Sequence, residues 1–509
     1  MNVLFIASEA VPFAKTGGLA DVVSSLATYL HTNGHNVKIV IPYYKSIKEK
    51  TGSKFNVKSV MNSFCVHMGN GQEQWCGLYE TEGSGGVPVW LIESDNFYNR
   101  DGLYHDNNYN DFLDNASRYA FLSNAALQAC IDTQFSPDIV HAHDWQAAPA
   151  LAYLKTWYWN NPVIGRAASV LTVHNAQYQG TYGKSHYEYM GFGWQHFTSD
   201  KFEDNGGINM LKGGVYFADA VNTVSPTHAK EIAAPFSEFG LAPYFNAKGE
   251  YFCGILNGID YDEWNPEKDP FIKHHFSSKN LGGKKKMKKI LQDKFMLKAD
   301  DSIPVIGIVG RIATQKGYDL VAACLEQILN ELEVQFAFVG SGDKALEGYF
   351  GWLPSKYGGK FGSYIGYSNE MAHLVEAGSD MFLMPSRFEP CGLNQMYSLK
   401  YGTLPIVRKV GGLADSVDNY NRNTGCGTGF VFDEASPQAI YGTIKWAVDT
   451  WFNHRDHFEG MQRRAMEIDF SWDVAGKQYE ELYRKAKVAR LEYDNKHSTT
   501  IGQNSDLTK

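Results

Sequence analysis

Residues 15–21 read Lys-Thr-Gly-Gly-Leu-Ala-Asp, and residues 409–415 read Lys-Val-Gly-Gly-Leu-Ala-Asp. Each copy follows a short apolar run and opens a helical stretch. Paired glycines let the backbone come close to whatever lies before it. The free N–H groups and positive dipole end of the next helix point the same way. Lys15 adds a point charge suited to phosphate. The local pattern therefore reads either as an anion site or as a tight turn alone. It is not a Walker loop, because no GxxxxGK[ST] occurs, nor is it the GxGxxG fingerprint. No longer repeat joins the two copies, which excludes a solenoid.

Around the first copy, Val/Ile/Leu-rich runs at 3–7, 37–41, 87–92, 138–141, 169–173 and 220–224 read as buried parallel strands, with a helix at 19–30. The stretch 259–301 breaks this rhythm with Asn265-Pro266, Asp269-Pro270 and the run KKKMKK at 284–289. That lysine run reads as a solvated helix face. A second series then begins, with strands at 304–309, 335–339, 363–365, 381–384 and 404–407 and helices at 318–330 and 393–401. Strand–helix repetition of this kind implies an α/β fold of two doubly wound, Rossmann-like domains. The expected boundaries are 1–258 and 259–472, followed by a helix at 473–494 and a disordered tail at 495–509. Helices are also expected at 437–453, with Ser436 as N-cap and Pro437 at its first position, and at 457–468.

The composition narrows the function. The 509 residues are 44% hydrophobic and 20% charged, with net charge -9. That balance fits a soluble globular protein and excludes a general nucleic-acid binder, which would need a basic face. No apolar run reaches the ~18 residues of a membrane span, and the first strand has no basic leader before it. Seven cysteines, without a CxxC pair, point away from a disulfide framework and toward a reducing cytoplasm.

Further candidates follow predicted strands, where open α/β sheets bind ligands. Arg311 and Lys316 lie in GRIATQKGYDL, and such a pair could clamp a diphosphate or form surface salt bridges. Glu389, Cys391, Gly392 and Leu393 lie in PSRFEPCGL. There a carboxylate and two backbone N–H groups would flank a ligand, unless the glutamate is only a turn residue. Cys391 has no neighbouring histidine to activate it and reads as packing. His141-Ala142-His143-Asp144-Trp145 and Thr172-Val173-His174-Asn175 end strands of the first half. HxH can bind metal, but no third ligand stands at a recognisable spacing, so no metal is expected. Asp260-Tyr261-Asp262 has the form of a DxD metal motif but follows the Asn257-Gly258 turn, so turn chemistry explains it.

Together KTGGLADV, HAHDW, TVHNAQYQG, GILNGIDYDEWNP, GRIATQKGYDL and SRFEPCGLNQ resemble the bacterial glycogen synthase and plant starch synthase family, in family order, from residue 1 to about 490. The resemblance implies the GT-B fold: two Rossmann-like domains facing a cleft, with C-terminal helices crossing back to the first. It implies retaining transfer of glucose from ADP-glucose, or alternatively UDP-glucose, to the nonreducing 4-hydroxyl of an α-1,4-glucan such as glycogen, without a metal or other cofactor. Another retaining GT-B glycosyltransferase is the further alternative. By resemblance, Arg311 and Lys316 hold the leaving diphosphate, and Glu389 binds the donor glucose. Gly18, Gly392 and Leu393 offer N–H groups, with Cys391 between Glu389 and Gly392, and Lys15 lies near the phosphates. Tyr367 stacks on the base, His174 and Asn175 contact the sugar, and Asp21 lies near the reaction centre. Glu9, His143, Asp144 and Asn257 are expected to line the cleft. Val410 departs from the Thr that many relatives carry there.

Overall fold

The computed structural model describes the backbone of residues 1–106 and 110–505, and side chains as far as Lys496. The chain forms two compact units. One comprises Met1–Val224, Ala229–Gly258 and the segment from Trp472 onward; the other comprises Ser225–His228 and Ile259–Ser471.

The first unit is built on nine strands: β1 (Asn2–Ile6), β2 (Asn36–Pro42), β3 (Lys58–His67), β4 (Glu73–Glu82), β5 (Pro88–Glu93), β6 (Ile139–His143), β7 (Ala168–Val173), β8 (Ala220–Thr223) and β9 (Phe252–Gly254). Their order in the sheet is β9-β8-β7-β6-β1-β2-β5-β4-β3. All neighbours are parallel except β3–β4 and β4–β5, which are antiparallel. The central strands are buried on both faces, which is why they read as unbroken apolar runs. The edge ribbon β3–β4 did not announce itself. Most of β3 is exposed, so it carries no apolar run, and its ladder is interrupted by register shifts near Met61.

The second unit has six strands: β10 (Val305–Ile312), β11 (Gln335–Gly342), β12 (Phe361–Ile365), β13 (Met381–Met384), β14 (Leu404–Arg408) and β15 (Phe430–Phe432). They are wholly parallel and ordered β12-β11-β10-β13-β14-β15. Counted within the unit this is 3-2-1-4-5-6, the doubly wound order. In each sheet the connections reverse direction beside its first strand, at β1/β6 and at β10/β13. Ligands of open α/β sheets bind at the carboxyl ends of strands beside such a reversal.

Ser436 caps the helix Pro437–Asn453, accepting from Ala439 N at 3.2 Å. The lysine run meets the expectation of a solvated face at Lys285, Lys286 and Lys289, which are exposed, but not at its other two lysines. In the helix Gly282–Lys294, Lys284 and Lys288 are buried one turn apart. Lys284 donates to Thr403 Oγ1 at 2.6 Å, and Lys288 pairs with Asp380 at 2.8 Å. The last helix runs from Trp472 to Ser505, past the expected end at Asp494, so 495–505 are helical rather than a disordered tail. Residues 506–509 lie outside the described residues. This helix belongs to the first unit. Arg490 donates to Gly165 O at 2.7 Å, Glu480 pairs with His35 at 3.0 Å, and Tyr479 and Tyr483 are fully buried.

Gly476 marks where the last helix presses on the helix Gly18–Thr32, since a Cβ there would stand 2.1 Å from the Tyr29 ring. Gly476→Ala is expected to cost about 1–3 kcal/mol of stability through overpacking. At Gly442, where a Cβ meets nothing within 4 Å, the same change is expected to gain up to about 1 kcal/mol. Denaturant unfolding of the two variants against the parent chain measures both.

Candidate active site

In the first unit, the residues singled out by sequence gather at the carboxyl ends of β1, β6 and β7. Glu9 leaves β1 and is buried. Its Oε1 accepts from Thr16 Oγ1 at 2.7 Å and from the Tyr104 hydroxyl, and its Oε2 accepts from Thr16 N. Burial pushes its pKa up, and these bonds partly restrain the rise. The carboxylate thereby ties down the start of the glycine loop. Gly17 precedes the helix Gly18–Thr32 in extended backbone, and a Cβ on it would meet nothing within 4 Å, so the loop is open on that side. Lys15 and Asp21 bridge the loop at 2.7 Å, both partly exposed.

Behind the loop lies a file of imidazoles. The rings of His141 and His143 touch at a tilt of 31° with centroids 4.2 Å apart, and His143 Nδ1 meets His174 Nε2 at 3.0 Å. His141 and His143 are buried and His174 is half-buried, and desolvation lowers their pKa values, to about 3 for His141 and His174 and well down for His143, so they are neutral near pH 7. His141 uses both ring nitrogens within the unit, toward Tyr483 OH at 2.9 Å and Thr172 Oγ1 at 2.7 Å. The HxH pair is thus structural at its first member. His143 Nε2 has no hydrogen-bond partner among the described residues. Asp144 adopts a left-handed backbone with φ 58°, which an aspartate tolerates better than most residues. That turn aims its Oδ1 at the backbone N–H of His174, 2.6 Å away, and so orients the segment carrying His174 and Asn175. Burial raises the Asp144 pKa to about 7, against the lowering effect of the His174 and Asn175 N–H groups. Asn257 is buried as well, and its Oδ1 has no partner among the described residues.

In the second unit, Lys316 and Glu389 meet directly, Nζ to Oε2 at 2.6 Å, with Ser386 Oγ donating to the same oxygen at 2.9 Å. Glu389 is only 5% exposed. Two loops carry this pair, one after β10 and one after β13, and they are stitched together. Arg387 grips Asp319 with two bonds of 2.7 Å and donates to Thr314 O at 2.8 Å. Arg387 N donates to Gln315 O at 2.8 Å, and Gln315 Nε2 donates to Phe388 O at 3.3 Å. Glycines let the layers close. A Cβ on Gly411, where φ is +42°, would lie 1.9 Å from Glu389 O, and one on Gly412 would lie 2.1 Å from Cys391 O. The second GGLAD copy is therefore the floor of the Glu389 loop, which its likeness to residues 15–21 alone did not disclose. Cys391 is buried. Gly392 has φ +71°, and Leu393 caps the short helix Asn394–Lys400.

Arg311 ends β10 as an exposed side chain, with no hydrogen bond to its guanidinium among the described residues. Tyr367 is 79% exposed and follows β12, two strands from β10, or about 10 Å across the sheet. The fold does not draw it into the Lys316–Glu389 cluster. Asp260 and Asp262 form a turn, with Asp262 N donating to Asp260 Oδ1 at 2.8 Å. Sequence reasoning missed Tyr104, Thr16, Ser386, Arg387 and Asp319 as residues that hold the site. Tyr104 stands 95 positions from Glu9, beyond the reach of any spacing rule.

Two doubly wound units, with cationic loops and buried carboxylates at their strand reversals, are what the resemblance to the GT-B glycosyltransferases implied. Comparison with known proteins agrees. Residues 2–247 match the starch synthase catalytic domain, and residues 290–465 match the group 1 glycosyl transferases. The chain is 44% identical over 492 residues to glycogen synthase 1 of Geobacter metallireducens, covering 96% of this chain and 97% of that one. It is 43% identical to the glycogen synthase of Treponema denticola, covering 96% and 98%. The chain belongs to the glycogen synthase and starch synthase family. Its structure is similar to that of the catalytic domain of starch synthase IV from Arabidopsis thaliana, bound to ADP and acarbose, with a TM-score of 0.87, 32% identity and coverage of 96% and 99%. Sucrose-phosphate synthase from Thermosynechococcus elongatus shares the fold, with a TM-score of 0.60 at 16% identity and coverage of 96% and 99%.

The buried titratable groups of the first unit predict opposing pH effects. Asp144, at about 7 against 3.8 unfolded, contributes stability that is lost as pH rises through 7. The histidines, at about 3 against 6.5, contribute stability that is lost as pH falls below 6.5. Between about pH 4 and 6.5 the two partly cancel. Asp144→Asn keeps an acceptor for His174 N but removes the offset. Denaturant unfolding at both ends of that window is expected to show a larger acid loss in the variant than in the parent. An unchanged difference would show that Asp144 is not held protonated by burial.

Proposed function

We propose that this chain is an α-1,4-glucan synthase that transfers glucose, with retention, from ADP-glucose to the nonreducing 4-hydroxyl of glycogen or a linear glucan. The Lys316–Glu389 pair is the observation that supports this reading most. A carboxylate held beside an ammonium at a strand reversal suits a sugar whose C1 becomes positive while a diphosphate departs. Arg311 and Lys316 would take the charge of the leaving diphosphate, and their positions at and after the end of β10 favour that use. Backbone N–H groups of Gly18, Gly392 and Leu393, with Lys15, would add to it. Tyr367 offers an exposed ring for the adenine. His174 and Asn175 would contact the donor glucose, oriented by Asp144, and Asp21 would lie near the reaction centre. A neutral His174 can donate or accept toward a sugar hydroxyl without adding charge.

The mechanism proposed is front-face displacement, in which the departing phosphate accepts the proton of the glucan hydroxyl. Glu389 Oε2 is held by Lys316 and Ser386, which suits electrostatic stabilisation of the sugar rather than attack on it. Cations of the chain itself would serve in place of a metal. Among the described residues, no helix is long and apolar enough to cross a membrane. The seven cysteines are free thiols, as a reducing cytoplasm would keep them.

The test is nucleotide release by the purified chain with glycogen, with ADP-glucose and UDP-glucose in parallel, in the presence of EDTA. ADP release coupled to glucan growth is the expected result. Faster release from UDP-glucose would overturn the donor assignment. Loss of turnover with EDTA would overturn metal independence, and no turnover with either donor would overturn the synthase reading.

A further inference from the structure

The edge ribbon β3–β4 carries a cluster of a different kind. Cys65 and His67 are two residues apart on β3, so their side chains leave the same face. His67 stands directly opposite Glu73 on β4, which places the carboxylate on that face too. The thiol sulfur, an imidazole nitrogen and a carboxylate oxygen all lie within 4.8 Å of one another. His67 and Glu73 are exposed and Cys65 is half-buried, so each can turn without disturbing a core.

We infer that Cys65, His67 and Glu73 form a binding site for a borderline-soft divalent transition metal, zinc being the fitting ion. Thiolate, imidazole and carboxylate together select zinc over the hard cations magnesium and calcium. A tetrahedral zinc, about 2.3 Å from sulfur and about 2.0 Å from nitrogen or oxygen, separates its ligand atoms by about 3.3–3.7 Å. The three side chains therefore close by about an ångström to reach it, and water completes the shell. On binding, the Cys65 thiol gives its proton to solvent and the sulfur lone pair bonds the metal, so affinity rises with pH. The ion would cross-link β3 to β4 just before the turn between them, at an edge where β3 has a neighbour on one side only. β3 lies four strands from β1, roughly 19 Å across the sheet, so the site is separate from the glycine loop.

The experiment uses the full-length, metal-stripped chain. Zinc is titrated against a chromophoric chelator, and cobalt is used as a spectroscopic stand-in. Expected are one zinc equivalent per chain and a thiolate-to-cobalt absorption band in the near ultraviolet. Cys65→Ser is expected to abolish the band and lower zinc affinity about 100-fold or more; His67→Gln and Glu73→Gln are expected to lower it about 10–100-fold. Cys426→Ser, at the exposed thiol of the second unit, is expected to leave both unchanged, and glucosyl transfer is expected to stay at the parental rate in every variant. Equal zinc affinity in Cys65→Ser and the parent, or no cobalt band from the parent, would overturn the proposal.

Discussion

A carboxylate taken out of water must be paired, and in the second unit that requirement organises everything around Glu389. Lys316 and Ser386 meet its Oε2. Each sits on a different part of the two loops, so the loops must be held in register. The Arg387–Asp319 grip and the bonds through Gln315 provide that register. The layer beneath can approach only because Gly411 and Gly412 lack side chains. Pairing the charge, stitching the loops and sparing two Cβ atoms are one solution to a single electrostatic problem.

The first unit meets a related problem with neutral groups. Its histidines lie where protonation is costly, so they remain uncharged; one hydrogen bond joins Tyr483 to His141, another joins His143 to His174, and a ring contact links the two pairs. The far end of the file, through Asp144, fixes the backbone of His174 and Asn175. The C-terminal helix touches the file at its first ring, where the Tyr483 hydroxyl meets His141 Nδ1. Helix and site share one unit although hundreds of residues separate them in sequence.

Much of this was legible in the residues. Apolar runs disclosed the buried parallel strands because burial on both faces leaves no alternation to confuse them. Gly-Gly before a helix and cations after strands pointed to the reversals: in the first unit Lys15 follows β1, and in the second Arg311 and Lys316 lie at and after the end of β10. The ribbon β3–β4 was silent because an exposed edge needs no apolar run. The buried Lys284 and Lys288 were silent because their partners, Thr403 and Asp380, lie far along the chain. The helix past Asp494 was missed because polar, Ser/Thr-rich sequence has weak helical preference by itself. The supporting residues Tyr104, Arg387 and Asp319 act across contacts that only the tertiary fold creates.

The most direct measurement is a double-mutant cycle on single-turnover glucosyl transfer, with Lys316→Met, Glu389→Gln and the pair. If the ammonium and carboxylate work as one unit, each single change is expected to cost nearly as much as both together, a strongly non-additive result. Additive losses would contradict the account, since Lys316 and Glu389 would then contribute independently and their pairing would be incidental to transfer.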